Sequence, residues 1–394
     1  MNMRDPIYDQ ALYLSNARVV LPHMTLEDGA VVIRHGVIES IAPNSMPSDA
    51  REVNLAGSLL MPGMIDLHCD ALEKEVEPRP GVHFPLRLAC AQADRRNAAA
   101  GITTVYHSLS FANHELGVRN NAIAAEIVRA MHDWQPHALV DNRMHLRYEV
   151  TDTTAPPILA DLMTAGFAQM ISFMDHSPGQ GQFKDVDAFR SYLSRNYKTS
   201  DDEIERIIEA KKESSIGTMS RIKELIVIAK QCGIAIASHD DDTVEKLDLV
   251  AQLGVTISEF PINLETAKAA RARGVSTLFG APNILRGKSQ SGSMRALDAV
   301  INDVADCLCG DYSPAALLPS TLRLIELADI DLHQAVALVT KNPARAAGLM
   351  DRGEIRIGQR ADLISVRTIG GVPQAEKVWV AGVPALHHYF DHQK

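Results

Sequence analysis

The chain has 394 residues, with 49 Asp plus Glu against 39 Lys plus Arg, a formal net charge of −10 and 46% hydrophobic residues. That balance excludes disordered and fibrous classes, and it argues against a protein that coats nucleic acid or an anionic membrane, which needs a basic face. A locally basic site for a small phosphorylated molecule stays open, and the length allows one large domain plus a smaller one.

The N-terminal MNMRDPIYDQ carries acidic residues and no apolar core, so no signal peptide is expected. No apolar run approaches the ~18 residues of a membrane span. The five cysteines form no CxxC pair, which points to a reduced compartment and a cytoplasmic location. The runs ALYLSNARVVLP, GAVVIRHGVIESIAP and REVNLAGSLLMP then alternate apolar residues with turn residues and predict short strands. GEIRIGQRADLISV and AEKVWVAGVPA predict the same near the other end. Residues 1–60 and 352–394 are therefore expected to share one small, sandwich-like β domain.

Residues 61–351 read differently. Eight β runs follow one another: MIDLHCD, ITTVYHS, MHLRYEV, MISFMDHS, IAIASHD, VTISEF, STLFGAP and CLCGDY. Helical stretches such as HFPLRLACAQADRRNAAAG and SRIKELIVIAKQCG separate most of them. Eight strand–helix units match the ~250 residues typical of a (β/α)8 TIM barrel. A doubly wound sheet would want a Gly-rich first turn, and neither GxGxxG nor GxxxxGK[ST] occurs. A charged helical insertion is expected over about 183–222, with a capping box at Ser200 and Glu203. Cys307 and Cys309 lie two apart on the last run and read as buried packing residues.

Barrel enzymes carry their chemistry at the C-terminal strand ends. Here those ends are rich in metal-type donors: His68 and Asp70, Glu149, Asp175 and His176, His239 with Asp240, Glu259, and Asp311. Converging on one mouth, such groups would repel one another without a cation between them. His68 and Asp70 share a face at spacing two, with Cys69 pointing away. Imidazole plus carboxylate suits a divalent transition metal, zinc first, with manganese, iron or nickel as alternatives. The expected ligands are His68, Asp70, Glu149, His176, His239 and Asp311, enough for two ions. Two ions would acidify a bridging water, and Asp311 is placed to take its proton.

At this point the residues resemble a known group. MPGMIDLHCD after a β segment, a His at a mid-barrel strand end, Asp311, TKNPARAAGL and the ADL return look like the amidohydrolase superfamily over nearly the whole chain. Within it, MPGMIDLHCDALEKEVEPRPGVHFP, HLRYEV, SFMDHSPGQGQF, ASHDDDT, SEFPINLETA and GAPNILRGKSQSG resemble the family of alpha-D-ribose 1-methylphosphonate 5-triphosphate diphosphatases. The resemblance implies a metal-dependent hydrolase of phosphonate catabolism that releases pyrophosphate from a ribose 5-triphosphate. The superfamily's usual first-strand HxH is His68-Cys69-Asp70 here. The loop Arg286 to Ser293 carries Gln290 and Ser293 where the family has His and Asn, which bears on the exact substrate.

A triphosphate needs cations. Lys74, Arg79, Arg147, Arg286 and Lys288 lie at strand ends or loops of the expected mouth. The competing expectation is another amidohydrolase activity, on a C–N or ester bond of an anionic small molecule, since the same metal mouth serves both. Superfamily members are often oligomers, so a homodimer or larger homo-oligomer is expected, with no nucleic-acid or membrane partner.

Overall fold

The protein is described by a computed structural model covering residues 10–112, 120–175, 217–289 and 293–389. His176, the 177–183 turn, the Ser200–Glu203 capping box and Gln290 lie outside the described residues.

The N-terminal runs become β1 (Ala11–Val20), β2 (Thr25–Arg34), β3 (Val37–Ile41), β4 (Ala50–Asn54) and β5 (Leu59–Pro62). The turn between β2 and β3 is His35–Gly36, with φ of 50° and 81°. Two positive φ values match the right-handed twist of the paired strands, and the Gly supplies one of them without a side-chain clash. REVNLAGSLLMP splits into β4 and β5 because Ala56 and Gly57 both turn left-handed, at φ 51° and 78°.

The eight middle runs become eight barrel strands: β6 (Met64–Cys69), β7 (Ile102–Phe111), β8 (Asp141–Glu149), β9 (Met170–Met174), β10 (Ala235–His239), β11 (Ile257–Glu259), β12 (Ser276–Gly280) and β13 (Cys307–Cys309). They pair in parallel and in chain order. Their residues are buried almost without a break, as parallel strands covered on both faces require. The seam closes between β13 and β6. Asp311 N–H donates to the His68 carbonyl at 2.9 Å, and Asp70 N–H donates to the Asp311 carbonyl at 3.2 Å.

Helices cover the outside. Leu86–Ala100 ends at Gly101, φ 83°, and the side chains of Asn120, Thr243 and Asn263 cap Asn121–Trp134, Val244–Leu253 and Leu264–Ala272. Inside, Tyr106, Met170, Ala237, Ile257, Leu278 and Cys307 pack into one cluster below the strand ends. Cys69 faces outward into the helix-facing core with Phe279 and Leu308, and Cys307 and Cys309 are buried packing residues.

At the far end, β14 (Leu363–Ile369), β15 (Val372–Val380) and β16 (Val383–His387) return to the first sheet, where β14 pairs with β5. That sheet therefore holds eight strands drawn from both termini, most of its pairs antiparallel. One expectation is corrected. The GEIRIGQ half of GEIRIGQRADLISV is not a strand. Gly353 and Gly358 turn left-handed at φ 91° and 85°, and Glu354 is held by Lys341 at 3.0 Å instead of lying in a ladder.

Candidate metal centre

Three strands deliver three donors to one point. His68 lies near the end of β6, His239 ends β10 and Glu259 ends β11. All three are buried, and their ligand atoms lie within 4.8 Å of one another. His68 Nδ1 is 2.9 Å from Glu259 Oε1. His145 of β8 approaches the other oxygen, its Nε2 3.8 Å from Glu259 Oε2. The same ring meets Ser172 Oγ at 2.8 Å and, through Nδ1, Ser108 Oγ at 3.0 Å.

The backbone turns sharply at this level. Asp240, Phe260 and Asp311 follow the ends of β10, β11 and β13, with φ of 51°, 53° and 54°. A bulky residue such as Phe260 seldom takes that conformation, which costs free energy and is held by its surroundings. The turn brings the Phe260 ring against both imidazoles, with centroid distances of 5.0 Å to His68 and 5.2 Å to His239.

Burial dominates the electrostatics. It pushes His68 well below the ordinary imidazole range, with Arg147 and His239 adding to the drop. It pushes His145 down to about 3. Both rings are therefore neutral at physiological pH, the form that donates a lone pair to a metal. The acids move the other way. Burial, then the charge of Asp70, raises Asp311 to about 7, and Arg147 opposes the rise. Burial raises Asp66 to about 8, although its Oδ1 accepts N–H bonds from His68 at 3.1 Å and Gly310 at 3.0 Å. Among the described residues, Asp66 Oδ2 and Glu259 Oε2 are buried without a hydrogen-bond donor. Neutral imidazoles, crowded carboxylates and an undonated Glu259 oxygen form a donor set that fits a divalent cation.

The structure thus brings His68 and His239 together and adds Glu259, a strand-end acid outside the expected ligand set. Asp70 and Asp311 meet through the barrel seam beside His68. Glu149 ends β8, buried, and accepts from Thr151 Oγ1 at 2.9 Å. Among the described residues, Asp70, Glu149 and Asp311 lie outside the three-donor group. Arg147 is buried in the mouth, whereas Lys74, Arg79, Arg286 and Lys288 are exposed. Arg286 donates to the Tyr312 hydroxyl at 3.2 Å, one residue from Asp311. His145 lies outside the expected site residues. Its signal was its parity with Arg147 and Glu149 on one strand.

The amidohydrolase family model matches residues 59–385. The chain belongs to the amidohydrolase family. The alpha-D-ribose 1-methylphosphonate 5-triphosphate diphosphatase of Escherichia coli (strain K12) is 33% identical over 376 residues, 94% of this chain and 99% of that protein. The imidazolonepropionase of Paracoccus denitrificans is 26% identical over 371 residues, 86% of this chain and 87% of that protein. Among solved structures, N-acetyl-D-glucosamine-6-phosphate deacetylase from Mycobacterium smegmatis gives a TM-score of 0.63 at 17% identity, covering 95% of this chain and 100% of that one. Dihydropyrimidinase from Brevibacillus agri gives 0.61 at 14% identity, covering 96% and 95%. At those identities the structural likeness shows the fold: an amidohydrolase barrel with a second sheet from both termini. In this amidohydrolase the three donors sit at the C-terminal strand ends, the face where barrel enzymes keep their chemistry.

Proposed function

We propose that this amidohydrolase is a metal-dependent diphosphatase that cleaves alpha-D-ribose 1-methylphosphonate 5-triphosphate to the 5-phosphate and pyrophosphate. The observation that carries the reading is the 33% identity to the Escherichia coli diphosphatase, spanning 99% of that protein. The cations at the mouth support it, because each phosphate of such a substrate needs positive charge.

In this reading His68, His239 and Glu259 hold a divalent cation, with Asp70, Glu149, His176 and Asp311 completing a set for two, zinc favoured. A divalent metal there supplies positive charge to a phosphoryl oxygen and acidifies water. Asp311 accepts the proton of the attacking water, a role suited to a carboxyl near pH 7. Arg147 offsets charge inside the barrel, and Lys74, Arg79, Arg286 and Lys288 hold the outer phosphates. Ser108 and Ser172 fix the His145 ring beside Glu259. The barrel is assigned to 61–351 and the terminal β unit to 1–60 and 352–394, in a cytoplasmic homodimer or larger oligomer.

A second reading is hydrolysis of a C–N bond in an anionic small molecule. Its support is that a mouth of imidazoles and carboxylates around a divalent metal would polarise a carbonyl as well as a phosphoryl group. One assay separates the two: metal-reconstituted protein is offered ribose 5-triphosphates and a panel of N-acyl compounds, and pyrophosphate is scored. Release of pyrophosphate with no N-acyl turnover is expected. Turnover confined to the N-acyl panel rejects the diphosphatase.

A further inference from the structure

Two arginines of this chain are equally buried, each 7% exposed, and their surroundings differ. Arg352 lies among carboxylates, 2.7 Å from Asp141, 2.8 Å from Asp351 and 3.7 Å from Asp362. Arg147 has no hydrogen bond and no ion pair among the described residues, and its Nε is buried without a partner. A buried guanidinium left in that condition is costly, so its retention calls for a counter-charge that arrives from outside.

Its direction is fixed by its strand. Side chains of a strand alternate, so His145, Arg147 and Glu149 of β8 share a side. His145 identifies that side as the barrel interior, because its ring bonds serines of β7 and β9 and approaches Glu259 of β11. Arg147 pairs in register with Ser110 of β7 and Ser172 of β9, two residues nearer the mouth than His145. Its charge is felt by the groups around it: it lowers both His68 and His145 and offsets the rise of Asp311.

We propose that the Arg147 guanidinium is the receptor for an oxyanion held against the His68–His239–Glu259 cluster, namely the phosphoryl group under attack. Its identification as phosphoryl rests on the diphosphatase reading; the demand for an anion rests on the unpaired guanidinium. The planar fork offers two parallel N–H donors to two oxygens of one group. A neutral amide brings no charge to it. The exposed cations then take the remote end of the substrate, and Arg147 selects for negative charge at the bond that breaks.

The test uses full-length protein stripped of metal by chelation, so that binding is read without turnover. Inorganic pyrophosphate is titrated calorimetrically at fixed ionic strength, with acetate and chloride as comparison anions, and unfolding temperature is read in each. Pyrophosphate is expected to bind and to raise the unfolding temperature above chloride. Arg147→Gln should weaken that binding at least about 10-fold, the worth of a lost charged hydrogen bond. Arg286→Gln, at an exposed position, should weaken it less. Arg147→Lys should fall between, because it keeps the charge and loses the fork. Wild-type affinity in a folded Arg147→Gln protein overturns the proposal, and so does a wild type that pyrophosphate fails to stabilise beyond chloride. Acetate bound as tightly as pyrophosphate overturns the phosphoryl assignment. If Arg147→Gln does not fold, Arg147→Lys decides, and binding equal to wild type overturns the proposal. Arg147-dependent pyrophosphate binding without triphosphate hydrolysis would leave this inference standing and reject the diphosphatase; hydrolysis with no effect of Arg147 on binding would do the reverse.

Discussion

Asp311 is held at two levels. Its peptide group closes the barrel seam with His68 and Asp70, while its carboxyl faces the charges of Asp70 and Arg147. Asp311→Asn preserves the seam and removes the proton acceptor. Metal content should stay largely intact while turnover falls at least about 100-fold, as read by atomic absorption and single-turnover kinetics. Full activity in that variant would remove Asp311 from the mechanism. The buried acids also set a pH dependence. Asp66 at about 8 and Asp311 at about 7 lie above the ordinary 3.8, so the metal-free fold keeps protons that the unfolded chain releases. Their contribution to stability is present below about 3.8 and is lost as pH rises through those values. The depressed His68 and His145 act oppositely, but only below their ordinary 6.5. Between pH 6.5 and 8 the metal-free protein should therefore lose stability as pH rises, and Asp66→Asn should flatten the slope. Thermal unfolding in chelator at stepped pH checks this; an unchanged slope would place the titration elsewhere. At this scale the sequence named His68, His239 and Asp311 from their positions after apolar runs. Glu259 was visible by the same rule, yet nothing in its own segment ranked it above Asp70 or Glu149.

Elements were more legible than residues. All eight barrel strands stand on the predicted apolar runs, six of which end in a His or carboxylate, because a parallel strand buried on both faces has a composition that few other elements share. The seam was not legible, since it joins chain segments far apart in sequence. Gly310 shows how tight it is. A Cβ there would meet Asp66 Oδ2 and, at 2.9 Å, the Cα of Pro314, which is backbone and yields little. Gly310→Ala should destabilise the fold by about 1–3 kcal/mol, measured by urea unfolding, and should weaken metal retention through the displaced Asp311. Stability equal to wild type would show a seam slack enough to absorb a methyl. The failed strand at GEIRIGQ has a similar origin. Its alternation is correct, but Gly353 packs against the Thr340 carbonyl, and a ladder cannot form around that contact.

Across the whole molecule, Arg352 joins the barrel to the terminal sheet. It donates to Asp141 at the start of β8 and to Thr104 of β7, and it lies 3.7 Å from Asp362, next to β14. Arg352→Met would remove the cation that Asp362 and Asp141 share, leaving each with one other arginine, Arg360 at 2.9 Å and Arg143 at 3.0 Å. A loss of about 1–3 kcal/mol is expected, readable as a lower unfolding temperature with the terminal sheet released first. Hydrogen exchange on β14 and β15 would show that order, and uniform exchange would reject it. The sequence by itself determined the fold class, the strand order, the two-ended β sheet and the supply of metal-type donors. Those follow from alternation, buried runs and turn residues, which are local signals. Only the tertiary structure decided that His68, His239 and Glu259 share one point, that burial keeps the imidazoles neutral and that Arg147 stands without a partner among the described residues. Closing a barrel fixes where each strand lies around the axis, and that placement sets both distance and dielectric for groups the chain keeps far apart.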